Sequence, residues 1–315
     1  MKRLLVGYKA ADLTPELLAG DVTCHALDIY HAHAIEKTHP GVRVVCEPHL
    51  PKDGWDEILF RTGPKLMSGE LSLDLLQEIA LTGCAYRVDF VGRERDRNDL
   101  LDKVKGDPHK RVRDFAATWP ASVPGGKKMM FTSTPGCFCH RRLDEGGLAL
   151  AEVVSRELAA AARPVRMLDM GCGCGLVGFL TAGAVDGVAL TMIDSHTRAV
   201  EAARLNAANF GIPAEVLLAD DGIAGRPDLK GTFDVFAGNP PYYSDYRIAE
   251  VFLETAKRAL RPGGVCYTVV KNDAGLRPVQ ERYFPSVEVI HRRNYCVLKS
   301  KRPPTPTGTT DVLVR

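Results

Sequence analysis

The chain reads as an α/β protein: a doubly wound parallel sheet preceded by a smaller, degenerate copy of the same fold. Three observations predict this. From about residue 130 onward, strand-like and helix-like segments alternate with regularity, the pattern of a parallel sheet covered by helices on both faces. Four successive strands end in acids or an asparagine, which lines one edge of that sheet with polar side chains. The first third of the chain also repeats stretches of the second half in a shared register.

The elements follow in order. "GGLALAEVVSRELAAAA" (Gly146–Ala162) is rich in alanine and leucine and predicts a helix stopped before Pro164. "VRMLDM" is a short strand carrying Asp169, "GLVGFLTAGAV" a helix, and "VALTMID" a strand that ends in Asp194. "HTRAVEAARLNAANFG" predicts a helix with a glycine stop. "AEVLLAD" and "FDVFAGN" are two further strands, and "YRIAEVFLETAKRALRPGG" a helix. "VCYTVVKN" follows as a strand, and "VEVIHRRNYCVLKSKRP" as a final pair of strands.

The repeat is read by laying the two parts together. "WDEILFRTGPK" (Trp55–Lys65) resembles "FDVFAGNPPYY" (Phe233–Tyr243), with Asp56 matching Asp234, and the register runs on through Ser72–Asp96 against Glu250–Ala274. "HALDIYHAHAIE" (His25–Glu36) resembles "LTMIDSHTRAVE", placing Asp28 opposite Asp194, and "KRLLVGYKA" is a worn copy of "VRMLDMGCG". The first copy lacks the glycine loop and carries "RTGP" where the second has "GNPP". It is expected to keep the fold without the chemistry. The predicted organisation is a degenerate domain over 1–105, a connector rich in Pro, Gly and charge over 106–131, and a catalytic domain over 132–315.

At 315 residues, 45% hydrophobic and 25% charged, the chain has the composition of a soluble globular protein. The net charge of +2 does not announce a nucleic-acid binder. Local clusters, "HKRVR" (His109–Arg113), "CHRR" (Cys139–Arg142), "HRRN" (His291–Asn294) and "KSKR" (Lys299–Arg302), are weak support for one. Nine cysteines without a disulfide-like framework, no secretory signal at the start and no window of membrane-spanning length point to the cytoplasm and to no membrane partner. "CFCH" and "GCGCG" lack the C-x2–4-C spacing of zinc sites, so no metal is expected.

The chemistry is carried by a constellation. After the strand bearing Asp169 come Gly171, Gly173 and Gly175, where the backbone can turn sharply and approach a ligand closely. Asp194 closes the next strand, at the place where a carboxylate takes the hydroxyls of a ribose. Asp220 and Asp221 close the third strand, placed to receive the amine of an adenine, and Asn239-Pro240-Pro241-Tyr242 closes the fourth. Any one of these acids is equally well a turn former or helix cap; in this order and together they form a crevice.

These residues resemble a class I S-adenosylmethionine-dependent methyltransferase, of the small-domain group with an Asn-Pro-Pro-aromatic motif. The resemblance implies S-adenosylmethionine as cofactor, held by Asp169, Gly171, Cys172, Gly173, Gly175, Asp194, Ser195, Asp220, Asp221 and Asn239. It implies a catalytic corner of Asn239, Pro240, Pro241 and Tyr242. "TPGCFCHRRLDEGGLAL" resembles the segment that closes over the cofactor, with peripheral roles for Phe138 and Asp144. A worn copy ahead of an intact one resembles bacterial ribosomal RNA guanine-N2 methyltransferases, as does the Pro-Lys of "TGPK" (Thr62–Lys65). That layout implies an RNA substrate (ribosomal RNA or a ribosomal subunit), a monomer or weak dimer, and guanine N2 as acceptor. Tyr242, where those enzymes usually have Phe, keeps protein-glutamine and adenine-N6 methylation open as alternatives. A non-catalytic binder of cofactor or RNA is the third reading.

An exocyclic nitrogen is a poor nucleophile because its lone pair is delocalised. The Asn239 side-chain oxygen and the Pro240 carbonyl are expected to accept its N–H bonds and turn the lone pair toward the methyl. The prolines fix the carbonyl's aim in advance. Tyr242 is expected to stack on the base, worth roughly 1–3 kcal/mol. No strong general base is needed, and His196 is expected to start a helix.

Overall fold

Sheet order displays the duplication directly. The computed structural model describes residues 1–103, 115–160, 164–241 and 246–304. The first half contains β1 (Lys2–Val6), β2 (Asp21–Ala26), α1 (Ile29–Thr38), β3 (Arg43–Cys46), β4 (Glu57–Thr62), α2 (Gly69–Leu81), β5 (Ala85–Phe90) and α3 (Glu94–Asp102). Its strands form a parallel sheet in the order β3-β2-β1-β4-β5. A hairpin, β6 (Ala117–Ala121) and β7 (Met129–Ser133), and α4 (Glu145–Leu158) come next.

The second half contains β8 (Val165–Met170), α5 (Leu176–Ala184), β9 (Val188–Asp194), α6 (Thr197–Phe210), β10 (Ala214–Leu218) and β11 (Phe233–Gly238). It continues with α7 (Arg247–Ala259), β12 (Leu260–Val270), α8 (Asp273–Glu281), β13 (Glu288–Arg292) and β14 (Tyr295–Lys301). The order is β10-β9-β8-β11-β12-β14-β13, so its first five positions repeat the smaller sheet, and β14 and β13 add an antiparallel edge. This is the doubly wound sheet and its smaller copy that the sequence predicts. Apolar clusters cover both faces of each sheet.

Local chemistry accounts for the boundaries. His196 caps α6 by accepting the Arg198 N–H, and Gly211 ends it in the left-handed region at φ 64°. α7 stops at Ala259 rather than running through "RPGG", because Pro262 and Gly263 (φ 80°) cannot extend a helix; those residues begin β12 instead. α8 is absent from the sequence reading because Pro278 lies inside it, although Asn272 caps Ala274 N at 3.0 Å.

Two placements differ from the sequence reading. The later part of the supposed connector is the β6–β7 hairpin: Trp119 stacks on Phe131, which packs edge-on against Phe210 of α6. These aromatic rings bury it against the second half, a tertiary contact that loop-like composition does not reveal. The basic run His109–Arg113 lies outside the described residues. Asp28 is not the counterpart of Asp194 either. It is the N-cap of α1, the position His196 holds on α6, while Asp194 closes its strand two residues earlier. Ala26 closes the corresponding β2, so the first half has no carboxylate at that strand end. Among the described residues no helix is long and apolar enough to cross a membrane.

Candidate active site

The glycine loop is built from two kinds of glycine. A Cβ on Gly171 would lie 2.7 Å from the Phe252 ring, and one on Gly175 2.3 Å from Phe179. Those two glycines exist for close packing. Gly173 also has positive φ (55°), but a Cβ there would meet nothing within 4 Å. The loop therefore opens at Gly173, whose N–H donates to Asp194 Oδ2 at 2.9 Å. Asp169, buried at the end of β8, accepts the Gly178 N–H at 2.9 Å and so ties the strand to the first turn of α5. Burial pushes its carboxyl up to about 7.

Asp194 is part-exposed and closes β9. Its Oδ1 accepts the His196 N–H at 2.9 Å and its Oδ2 the Gly173 N–H. Each carboxylate oxygen has a further acceptor site, so these free acceptor positions and the open space at Gly173 fit the hydroxyls of a ribose. Burial raises the Asp194 carboxyl above its ordinary range. Cys172 is buried, its thiol raised well above the ordinary value by burial, so it contributes backbone to the loop. The Ser195 hydroxyl is turned away from the loop, donating to Asp28 of the first half at 2.9 Å. Asp220 faces His33 of the first half at 3.2 Å, while Asp221 is exposed beside it.

Asn239 follows β11, and its Nδ2 donates to Asp144 Oδ2 at 2.8 Å. Only the amino end of an amide can donate to a carboxylate, so this bond decides which way Asn239 points. Asp144 is itself fixed as the N-cap of α4, accepting the Gly146 N–H at 3.1 Å. A Cβ on Gly147 would lie 2.5 Å from its Oδ2, so that glycine is required for the carboxylate to sit there. Pro240 is buried beyond Asn239 and Pro241 half-buried; Tyr242 lies outside the described residues. The sequence reading gave Asp144 only a peripheral place. Its cap signal in "LDEGG" was legible, whereas its bond to a residue 95 positions away was not.

The first half grips the loop that carries Asp194. Leu27 O accepts the Thr197 N–H at 2.7 Å, and the Ile29 N–H donates to Ser195 O at 2.9 Å. Arg198 on α6 is 1% exposed and reaches into the first half. It pairs with Asp74, with Glu78 at 3.1 Å, and donates to Pro48 O at 2.9 Å. His49 bridges Glu201 at 3.1 Å and Glu78 at 2.9 Å, and those bonds push its imidazole up to about 10. Within the second half, the buried Asn206 holds both the Thr132 backbone of β7 and Cys174 O of the glycine loop.

Residues 128–299 match the family model described as methyltransferase small domain. The ribosomal RNA small subunit methyltransferase C of Pseudomonas paraeruginosa (strain DSM 24068 / PA7) is 32% identical, over 95% of this chain and 94% of that protein. The protein of the same name from Marinomonas sp. (strain MWYL1) is 28% identical over 60% of this chain, a match spanning 54% of its own length. The chain thus spans about half the length of several curated relatives it matches. Among solved structures, the T. thermophilus 16S rRNA N2 G1207 methyltransferase, in complex with AdoMet and guanosine, superposes with a TM-score of 0.79 at 17% identity. That match covers 96% of this chain and 88% of the other.

Proposed function

The chain belongs to the methyltransferase small-domain family, and from that premise we propose that it transfers a methyl group from S-adenosylmethionine to N2 of a guanine in small-subunit ribosomal RNA. The observation that carries this reading is Asn239, held by Asp144 at the end of β11, on the strand next to the one that leads into the glycine loop. The acceptor is supported by the curated relatives, named for the small ribosomal subunit, and by the solved neighbour, named for guanine N2.

When bound, S-adenosylmethionine supplies an electrophilic sulfonium methyl. Asp194 and the open backbone at Gly173 would hold its ribose, and Asp220 or Asp221 its adenine. Asn239 gives its amino group to Asp144, so its carbonyl oxygen is directed away from that carboxylate. There it accepts one N–H of the guanine amine, and the Pro240 carbonyl, its φ locked by the ring, accepts the other. These two bonds draw the nitrogen lone pair out of conjugation, and they tighten as positive charge develops on the nitrogen. The surplus proton rests between the nitrogen and these oxygens until water removes it. Positioning supplies most of the acceleration.

The test is tritiated methyl transfer from S-adenosylmethionine to 16S rRNA, total DNA and total protein, followed by base-level mapping of labelled RNA. Label at guanine N2 that falls about 100- to 1,000-fold with Asn239→Ala is the expected result, the loss typical of one preorganised acceptor or donor. Label on adenine N6 or protein glutamine would instead establish the alternative that Tyr242 in place of Phe leaves open. Label persisting in Asn239→Ala would remove the mechanism.

A further inference from the structure

The run "HRRN" (His291–Asn294) has no place in the chemistry above, yet the fold carries it to the edge of the catalytic corner. The register pairs Gly238 with Thr268 and Val270 with Cys296. Lys271, one residue past β12, therefore stands between the Asn239–Pro241 ledge and Tyr295. Its ammonium lies 4.6 Å from the centre of the Tyr295 ring. That ring in turn packs on Gly146, where a Cβ would come within 3.1 Å of it, and Gly146 is the residue whose N–H binds Asp144. Lys271, Tyr295 and Asn239 thus share one end of the sheet.

The β13–β14 turn adds charge in a fixed shape. Arg293 and Asn294 both take left-handed φ, 50° and 59°, the geometry of a tight hairpin turn. Arg292 and Arg293 both pair with Glu152 of α4, and Arg293 also with Glu145 at 3.2 Å. Glu152 is buried, its carboxylate satisfied by the two arginines. They hold the turn against α4 while keeping their outer edges in solvent. Lys271 is exposed, and among the described residues no acid pairs with it. A cavity of about 370 Å³ opens here, lined by Lys271, His291, Arg292, Arg293, Asn294 and Tyr295 among others.

We propose that this cavity is a phosphate subsite for the RNA strand, taking the backbone phosphate next to the target guanine. Lys271 makes the contact, Tyr295 positions its ammonium through the ring face, and the pinned arginines supply the surrounding positive field. The proposal rests on the reading of the substrate as RNA.

The experiment uses the full chain, in vitro transcribed 16S rRNA and tritiated S-adenosylmethionine across a salt series, with RNA retention on nitrocellulose measured in parallel. Lys271→Ala is expected to raise KM for RNA about tenfold and to reduce the slope of log affinity against log salt by about one, the mark of one lost phosphate contact. kcat and the KM for S-adenosylmethionine stay near the wild-type values. Tyr295→Leu shifts the RNA KM in the same direction and Tyr295→Phe restores it, which a merely structural role of the hydroxyl would not do. Unchanged RNA KM and salt slope in Lys271→Ala overturn the subsite, as does a loss of cofactor affinity equal to the loss for RNA. A wild-type chain that retains RNA but moves no methyl overturns the proposed activity instead. The subsite is then judged by Lys271→Glu, whose retention of RNA at the wild-type level would overturn it.

Discussion

Asp56 and Asp234 make the same bond in the two halves of the molecule. Each stands at or just before the start of the fourth strand and accepts a backbone N–H from the first: Lys2 N at 2.6 Å in one half, Arg166 N at 2.8 Å in the other. At the opposite, carboxyl edge the halves diverge. The second keeps an open glycine loop, a part-exposed Asp194 and a pinned Asn239. The first fills the same region with its own side chains. Arg61, opposite Asn239 in the shared register, pairs with Asp89 and with Asp12 at 3.2 Å and lies over the Tyr8 ring. Gly7 leaves no gap either, since a Cβ there would fall 2.3 Å from Arg61 O. Strand order and the strand-start aspartate are common to the two halves; the contents of the carboxyl edge are not.

The largest effect is expected where the halves are joined. Arg198→Met removes the cation that Asp74 and Glu78 share in a buried cluster, leaving Glu78 with His49 as its charged neighbour. It should cost about 3–5 kcal/mol in denaturant unfolding, and it should separate one transition into two if the first half depends on the grip. A loss below about 1 kcal/mol, within the range of ordinary surface pairs, would mean the halves stand independently and the first does not brace Asp194.

Within the second half, Asp144→Ala removes the acceptor of the Asn239 amide and tests whether orientation of Asn239 matters beyond its presence. A hydrogen bond to a charged group is worth about 1.5–3 kcal/mol, so kcat should fall roughly 10- to 100-fold with the KM for S-adenosylmethionine nearly unchanged. Equal kcat in wild type and variant would reduce Asp144 to a helix cap.

Asp169 distinguishes the halves by pH. The first half has only buried apolar side chains at this level of β1, Leu4 to Val6. A carboxyl raised to about 7 in the folded state, against about 4 unfolded, contributes stability that is complete below the unfolded value and is lost as pH rises through the folded one. Asp169→Asn can still accept the Gly178 N–H but cannot titrate. Relative to wild type, its thermal midpoint should therefore rise between pH 4 and 7 and level off above. A difference that stays constant across that window would place the Asp169 carboxyl at its ordinary value.

Much of this was legible in the sequence, and the physical reason is locality. Strand and helix periods, the three glycines, the acid closing β9 and the asparagine after β11 are all written within windows of twenty residues or so. So was the repeat, because Asp56 and Asp234 answer to the same backbone donor. What escaped depends on pairs far apart in the chain: Arg198 with Asp74, Ser195 with Asp28, and Asn239 with Asp144. Asp28 was matched to Asp194 because both sit near a strand end, and only the cap geometry separates a strand-closing residue from the N-cap two positions on. The resemblance places Ser195 at the cofactor, and the direction of its hydroxyl is set by Asp28 in the other half of the molecule.

The smallest effect tests the comparison most sharply. Arg61→Asn places an asparagine opposite Asn239 in the first half and opens the plugged edge. The lost pairs are part-exposed, so the cost should be only about 1 kcal/mol. If the carboxyl edge alone decided function, such a change would move the first half toward cofactor binding. Two further requirements remain unmet there: β2 ends in Ala26 without a carboxylate, and Gly7 stands alone instead of a glycine triplet. Titration calorimetry with S-adenosylmethionine should accordingly still give one site per chain, with methyl transfer unchanged. A second site appearing on this single substitution would show that the first half lost its chemistry through the plug alone, and that the missing carboxylate and glycines were not needed to hold the ligand.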